Sequence, residues 1–523
     1  MQQHKFLLIL LGLYFSSAQL CLAERATLDT NNLDLKIPFV KFENQFYEIN
    51  LSYQGDLNFQ VVDINPLTND SASEFATYSS ATRILTINYI SFGAQTLQAT
   101  LQLLADNSNL SVLDYSDISE TNTNIASILD DWVINNTETA AVMRNSDGSD
   151  FFVNVQNVSS VEDGGQSYAL IEASGVPNYR FFVTQEIIDS LNARPLAASD
   201  FVSGQTILTA GETVEFGVDI GYDNSHTGEP CPAGKGYGYW PPGPVCPENT
   251  EKQGYFPVNP IAESEDTVCE TGLSSIGYAV NGVSIFNWGD GHSYNDEGQW
   301  QTLAPEAEFY DVDICGGHAA DGDYHHHFYS ACWAEMAGEQ QNGHSVVYAY
   351  AADGYAVYGP WEGKDNLAKS CWVARDYSAE SSTGCGVDGE RSCVLVNQYD
   401  PTEGTTAASA AGPSTSDTYI SISSNIFSAA SGAFFEDYYY DSACTQQSDS
   451  EYLDEFNGHS DDVRGYHYHV TVTSDNSGNL TPSFPYIIGP KYKGTLASNS
   501  IAGCSSGNIG MGGGPQGGGR PPR

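Results

Sequence analysis

Apolar and polar residues alternate in two similar segments near the N-terminus. Residues 33–51 read LDLKIPFVKFENQFYEINL and residues 83–101 read RILTINYISFGAQTLQATL, so the two segments align at an offset of 50 residues. Each segment alternates, breaks at a turn and alternates again, which is typical of two adjacent strands in a hairpin. We therefore predict a small β repeat module at residues 24–115. It contains no histidine or cysteine, which fits a spacer or adhesive role.

The strand-like pattern continues after this module. DFFVNVQNV (150–158) and NYRFFVTQ (178–185) read as strands, and only TQEIIDSLNA (184–193) reads as a helix. The Gly- and Pro-rich end, residues 505–523, predicts a flexible tail. The predicted fold is mainly β. An N-terminal β repeat module is followed, over residues 120–500, by a disulfide-linked β-rich domain with an internally duplicated His/Tyr motif.

The N-terminus predicts export. Lys5 precedes the apolar run FLLILLGLYF, and small residues lead to a cleavage site after Ala23, so residues 1–23 read as a signal peptide. Ten cysteines follow, all at or after residue 231, and an even number in an exported chain predicts disulfides, although the sequence leaves their pairing open. No later run is long and apolar enough for a membrane span. We expect a secreted or extracytoplasmic protein.

The charge balance argues against two classes of binding partner, nucleic acids and membranes. The chain has 66 acidic and 19 basic residues, a formal net charge of −47. Such a surface repels nucleic-acid phosphates and anionic lipid headgroups. We therefore expect no nucleic-acid partner and no stable membrane insertion.

The histidines crowd into two similar stretches. DICGGHAADGDYHHH (313–327) and DEFNGHSDDVRGYHYH (454–469) share the pattern D-x-x-x-G-H, a polar turn, then Y-H-x-H. YAVYGP (355–360) follows the first stretch and PYIIGP (485–490) the second, and both read as apolar strands ending in Gly-Pro. This pattern indicates an internal duplication whose two copies converge on a pseudo-twofold site.

Metal ligation is the chemistry that this spacing favours. Residues i and i+2 of a strand point to the same face, so the two outer histidines of Y-H-x-H lie side by side, with the Gly-His histidine as a third ligand. Imidazole suits copper and zinc, and the aspartates could be ligands or acceptors that orient an imidazole. Hydrogen-bonded His/Tyr core packing is the alternative. The predicted metal residues are His318, His325, His327, His459, His467, His469, Asp313 and Asp454.

GYHYHVT, together with DGDYHHHFY, DGYAVYGP and FPYIIGP, resembles the YHYH domain family, and the resemblance extends over residues 120–495. Tyr466, His467, Tyr468 and His469 match the naming motif, whereas the first copy has His326 in place of its second tyrosine. The resemblance implies an exported protein and no established reaction.

Three functions remain open from the sequence. The first is a secreted metal-binding protein that uses copper or zinc. The second is a metal-dependent extracellular hydrolase or oxidase at the same site, for which six histidines in two sets would suit a dinuclear centre. The third is a structural or adhesive surface protein with His/Tyr networks in its core.

Overall fold

A computed structural model describes residues 26–505 of the chain. The described range has gaps at 43–44, 56, 67–75, 81, 93–94, 106–107, 118–125, 136, 141–142, 146, 195–196, 223–246, 264–268, 309–311, 421–425, 446–450, 462 and 476–477. The predicted signal peptide, Cys231, Cys246 and the predicted tail beyond Ser505 lie outside the described residues. The chain divides into two compact units, and the larger comprises residues 124–340, 345–474 and the chain from 480 onwards.

The smaller unit contains an eight-stranded sheet with the order β1-β2-β3-β4-β8-β7-β6-β5, in which β1 also pairs with β6 and β2 with β5. The predicted repeat is visible in its registers, because Leu35 lies opposite Leu51 in one hairpin and Leu85 opposite Leu101 in the other. All four leucines are buried. The strands are β1 (Ala26–Leu28), β2 (Leu35–Phe42), β3 (Gln45–Gly55), β4 (Asn58–Pro66), β5 (Ala76–Ser79), β6 (Ile84–Phe92), β7 (Gln95–Leu103) and β8 (Asn109–Asp117).

The larger unit is built from many short strands. They are β9 (Val155–Asp163), β10 (Gln166–Ala173), β11 (Arg180–Phe182), β12 (Thr213–Glu215), β13 (Lys252–Pro257), β14 (Glu270–Thr271), β15 (Ser275–Ala279), β16 (Ser284–Phe286), β17 (Gly289–Ser293), β18 (Gln301–Leu303), β19 (Gly317–Ala320), β20 (Asp323–His326), β21 (Val347–Ala351), β22 (Ala356–Tyr358), β23 (Trp361–Gly363), β24 (Asn366–Leu367), β25 (Trp372–Ala374), β26 (Cys393–Leu395), β27 (Thr405–Ala407), β28 (Thr418–Ile420), β29 (Ile426–Ser428), β30 (Tyr438–Tyr440), β31 (Gly458–Asp461), β32 (Gly465–His469), β33 (Val472–Ser474), β34 (Leu480–Pro482) and β35 (Cys504–Ser505).

Helices are few and short, which confirms the mainly β fold. The segment that reads as helical forms α1, and its first turn is capped because the Thr184 hydroxyl accepts a hydrogen bond from the amide of Ile187. The α-helices are α1 (Gln185–Asn192), α2 (Ala197–Asp200), α3 (Ala304–Ala307) and α4 (Ala331–Ala337), and the 3-10 helices are Tyr294–Asp296, Pro401–Glu403 and Phe435–Asp437. No helix among the described residues is long and apolar enough to cross a membrane.

Eight of the ten predicted bridging cysteines pair in the described residues. The disulfides are Cys269–Cys504, Cys315–Cys332, Cys371–Cys444 and Cys385–Cys393. The first of these joins residues 235 positions apart. Such a long closed loop restricts the unfolded chain most, by about 5.5 kcal/mol in the chain-entropy description.

The central sheet of the larger unit has the same pattern of strand pairings whether it is followed from one edge or from the other. Its order is β19-β20-β16-β15-β21-β22-β32-β31. The middle pair, β15 and β21, is antiparallel, with Tyr278 directly opposite Tyr350. On each side a hairpin is followed by a strand added in parallel, β20 beside β16 and β32 beside β22. A local twofold axis perpendicular to the sheet, between Tyr278 and Tyr350, relates these two halves.

One strand expectation is wrong. Residues 355–360 do contain β22, but the matching strand of the other half is β16, which precedes the first histidine stretch. Residues 485–490 form turns and bends instead of a strand. The reason is that each histidine strand finds its parallel partner in a hairpin that comes earlier in the chain.

Candidate metal centres

Three histidines of the first stretch meet at one edge of the central sheet. His318 on β19 lies directly opposite His325 on β20, and His327 follows β20 on the same face. The Nε2 atoms of His325 and His327 lie 3.1 Å apart. Glu308, at the end of α3, places its Oε2 3.2 Å from Nε2 of His318 and 3.1 Å from Nε2 of His327. We call His318, His325, His327 and Glu308 the first histidine set.

The second stretch builds the same arrangement at the opposite edge. His459 on β31 lies opposite His467 on β32, with their Nε2 atoms 3.0 Å apart, and His469 ends β32. Glu362 on β23 places its Oε2 3.2 Å from Nε2 of His459 and 3.5 Å from Nε2 of His469. We call Glu362, His459, His467 and His469, all in the larger unit, the second histidine set.

Backbone carbonyls fix which ring nitrogen faces the set in the four histidines of the Y-H-x-H strands. Nδ1 of His325 lies 2.9 Å from the carbonyl of Asp323, and Nδ1 of His327 lies 2.6 Å from the carbonyl of Asn287. A carbonyl only accepts hydrogen bonds, so both Nδ1 atoms carry the proton and each neutral ring turns an Nε2 lone pair inwards. His467 and His469 are held in the same way, by the carbonyls of Gly465 and Gly359.

Lone pairs that face one another repel unless a proton or a metal ion lies between them. In the first histidine set the Nε2 atoms of His325 and His327 and the carboxylate of Glu308 are all acceptors within 3.1 Å of a neighbour. A tetrahedral ion with bonds of about 2.0–2.1 Å spaces its ligands by roughly 3.3 Å. The separations of 3.0–3.5 Å between neighbouring ligand atoms in the two sets are close to this value. The histidines of each set are among the side chains whose ligand atoms lie within 4.8 Å of one another.

Burial changes the pKa values of the first histidine set. His325 and His327 are 1% and 4% exposed. Burial, together with the neighbouring His318 and His327 rings, holds the pKa of His325 well below its usual range, which keeps the ring neutral. Burial alone would raise the pKa of Glu308, but the His327 and His318 rings, when they are protonated, bring it well below its usual range.

The two sets do not converge on a shared site. Five strand-to-strand steps separate β20 from β32 in the sheet, which at 4.7–4.9 Å per step is about 24 Å. The expected convergence, and with it a dinuclear centre, is therefore wrong. The local twofold axis passes through the middle of the sheet, so it relates two separate sets and does not lie in a common one.

The shared aspartate, glycine and tyrosine of the motif build the hairpin that carries the histidines. Asp313 accepts a hydrogen bond from the Tyr324 hydroxyl at 2.8 Å, and Asp454 accepts one from the Tyr466 hydroxyl at 3.0 Å. Both aspartates also accept backbone amide hydrogens of their own loops. Through these hydrogen bonds Asp313 and Asp454 hold the loops that precede the histidine strands. Neither aspartate is among the described side chains whose ligand atoms group together.

The glycine before His318 and the glycine before His459 leave space for the Tyr324 and Tyr466 side chains, respectively. A methyl group added at Gly317 would lie 2.5 Å from the Tyr324 ring, and one added at Gly458 would lie 2.5 Å from the Tyr466 hydroxyl and from the carbonyl of His467. In each copy the tyrosine side chain therefore packs directly against the glycine, and its hydroxyl reaches the aspartate. This contact explains why the D-x-x-x-G-H and Y-H-x-H halves of the motif occur together.

We expect Gly458→Ala to disrupt the second histidine set selectively. The backbone carbonyl of His467 cannot move away from the added methyl without shifting β32, and forcing extra methyl groups into packed regions costs about 1–3 kcal/mol. The measurement is the free energy of unfolding together with bound metal. Gly503→Ala, where the methyl meets open space, is the control, and equal behaviour of the two variants would contradict this explanation.

The middle residue of Y-H-x-H points to the other face of the sheet. His326 accepts a hydrogen bond from the Tyr179 hydroxyl at 2.8 Å and stacks on Trp333. Tyr468, at the same place in the second copy, donates to Asp353 at 2.6 Å. The exchange of tyrosine for His326 in the first copy therefore changes the core and leaves the first histidine set intact.

The two glutamates were not predicted from the sequence. Glu308 lies only ten residues before His318, but its stretch has no counterpart in the second copy. Glu362 lies on β23, shortly after β22, and the weak identity between these strands and their counterparts in the other half hides the relation. Comparing the two halves of the sheet, rather than the two histidine stretches, would have located Glu362.

Fold and site together define a disulfide-bonded, mainly β protein with two separate groups of histidines that could hold metal ions, each with a glutamate beside it. The resemblance to the YHYH family is confirmed, because a family model described as YHYH protein matches residues 253–400 of the chain. The matched residues include the first histidine set and Glu362 and end before the second histidine stretch. No curated protein and no solved structure matches the chain.

Proposed function

We propose that this chain is an exported metal-binding protein that holds one copper(II) or zinc(II) ion in each histidine set. The observation that supports it is the first histidine set, in which two imidazole lone pairs and a carboxylate face one another. A proton could relieve only part of this repulsion, whereas a divalent cation can bond to several of the acceptors at once. The four disulfides and the family support an extracytoplasmic location.

The donor atoms narrow the choice of ion. Three imidazoles and one carboxylate, without a thiolate or thioether, suit zinc(II) and copper(II) better than copper(I). The Irving–Williams order makes copper(II) the more tightly bound of these two divalent ions in vitro. Since the histidines of the first set are nearly inaccessible, the site favours holding an ion over turning over a substrate, which needs an open coordination position.

We expect the purified protein to carry close to two equivalents of copper or zinc. The chain should be produced with its disulfides oxidised, purified without a histidine tag and analysed for metals, and the metal-free protein should be titrated with each ion. A variant in which His325, His327, His467 and His469 are all alanine should bind neither ion. Absence of metal from the wild-type protein, both as purified and after titration, would refute the proposal and favour a His/Tyr core with a structural role.

A further inference from the structure

The two hairpins at the middle of the central sheet, β15–β16 and β21–β22, and the strand that follows each correspond at an offset of 72 residues. β15, β16 and β17 begin 72 residues before β21, β22 and β23. The offset also relates Phe286 to Tyr358, whose rings pack against His325 and His467 with centroids 3.7 and 4.9 Å apart, respectively. The correspondence therefore holds for the surroundings of the ligands as well as for the strands.

The same offset relates Glu362 of the second histidine set to Asp290. Both residues are followed by glycine, at Gly363 and Gly291. In the first histidine set Glu308 supplies the carboxylate from α3, and α3 begins beside β17 because the amide of Ala304 donates to the carbonyl of Trp288. The strand after the first hairpin consequently has an acidic side chain, Asp290, at the position that Glu362 has in the strand after the second hairpin.

Asp290 is held in place by hydrogen bonds from β17 and β18. One carboxylate oxygen of Asp290 accepts hydrogen bonds from the amide of His292 and the hydroxyl of Thr302, both at 2.8 Å. The carbonyls that hold His327 and His469 belong to Asn287 and Gly359, which the same offset relates. Asp290 follows Asn287 by three residues, as Glu362 follows Gly359. Asp290 therefore has the same position relative to His327 along the strand as Glu362 has relative to His469.

We infer that Asp290 is a further oxygen donor of the first site, and that it lets this site also take oxygen-preferring divalent cations such as manganese(II). This inference rests on the proposed function. With Asp290 the first site offers three imidazoles and two carboxylates, whereas the second histidine set offers three imidazoles and one carboxylate. Additional carboxylate ligands shift preference towards manganese(II) and iron(II), while imidazole-dominated sites favour copper and zinc.

The test is a manganese titration of the metal-free, full-length protein, followed by the electron paramagnetic resonance signal of free manganese(II). Wild-type protein should bind one equivalent, and Asp290→Asn should weaken this binding by at least about tenfold. Asparagine keeps an oxygen for the His292 amide and Thr302, and Asp290→Glu should restore binding. Asp296→Asn, an exposed carboxylate of the same loop, is the matched control and should bind manganese(II) like the wild type.

The outcomes separate this inference from the proposed function. If the wild type binds two zinc ions but no manganese(II), or if Asp290→Asn binds manganese(II) as tightly as the wild type, the inference fails and the proposed function stands. If the wild type binds none of the three metals, the proposed function itself fails. Should Asp290→Asn not fold by circular dichroism, Asp290→Ser takes its place, since serine keeps an oxygen for the loop and removes the carboxylate.

Discussion

Replacing His325 and His327 by alanine is expected to remove one of two bound metal ions and leave the other in place. Each change deletes an imidazole whose Nε2 lies within 3.1 Å of another ligand atom of the first histidine set. Loss of a direct ligand should weaken binding by more than the 10–100-fold typical of supporting residues. The second set, about 24 Å away across the sheet, keeps every ligand.

The reciprocal variant makes this prediction specific. Replacement of His467 and His469 by alanine should remove the other ion, and the ions retained by the two variants should add up to the wild-type number. The measurement is metal content after dialysis against a weak chelator, with His292→Ala, which alters a partly exposed histidine outside both sets, as the control. Loss of both ions from either variant would mean a shared centre and contradict the separation of the sets in the sheet.

Much of the local structure could be predicted from the sequence because it depends on neighbours in the chain. The hairpins of the smaller unit follow from alternation, and the side-by-side placement of His325 and His327 follows from the two-residue period of a strand. The pairing of each Gly-His histidine with a strand histidine is also local, since a short turn joins β19 to β20 and β31 to β32.

The arrangement of the two sets depends on long-range pairing, which alternation does not encode. Convergence would be the natural use of a duplicated motif, but β15 and β21 meet in the middle of the sheet and hold the histidine strands apart. Glu308 and Glu362 come from segments outside the histidine stretches and are brought in by α3 and by β23. Asp313 and Asp454 stand out in the sequence as carboxylates near histidines. In the structure, however, each accepts a hydrogen bond from a nearby tyrosine hydroxyl.

The metal-free protein is expected to lose more stability on acidification than a His326→Gln variant. Burial lowers the pKa of His326 to about 4, although a hydrogen bond to the carbonyl of Gly316 opposes the shift. The unfolded chain protonates this ring near pH 6.5, so between pH 6.5 and pH 4 the unfolded state binds more protons than the folded state. Its contribution to stability is complete above pH 6.5 and is lost as the pH falls towards 4. A shift of this size corresponds to about 3 kcal/mol.

Comparing the wild type with His326→Gln separates the effect of His326 on the free energy of unfolding from the effects of groups that stabilise the folded state at low pH. Burial raises the pKa of Asp313 and of Glu436 to about 7, so their protonation stabilises the folded state as the pH falls, but both are present in both proteins. All seven tryptophans follow residue 124, so urea unfolding followed by tryptophan fluorescence reports on the larger unit. The wild type should lose about 3 kcal/mol more than the variant between pH 7 and pH 4, and His292→Gln should behave like the wild type. Identical pH dependence of the wild type and His326→Gln would mean that His326 is not held neutral by its packing between Tyr179 and Trp333.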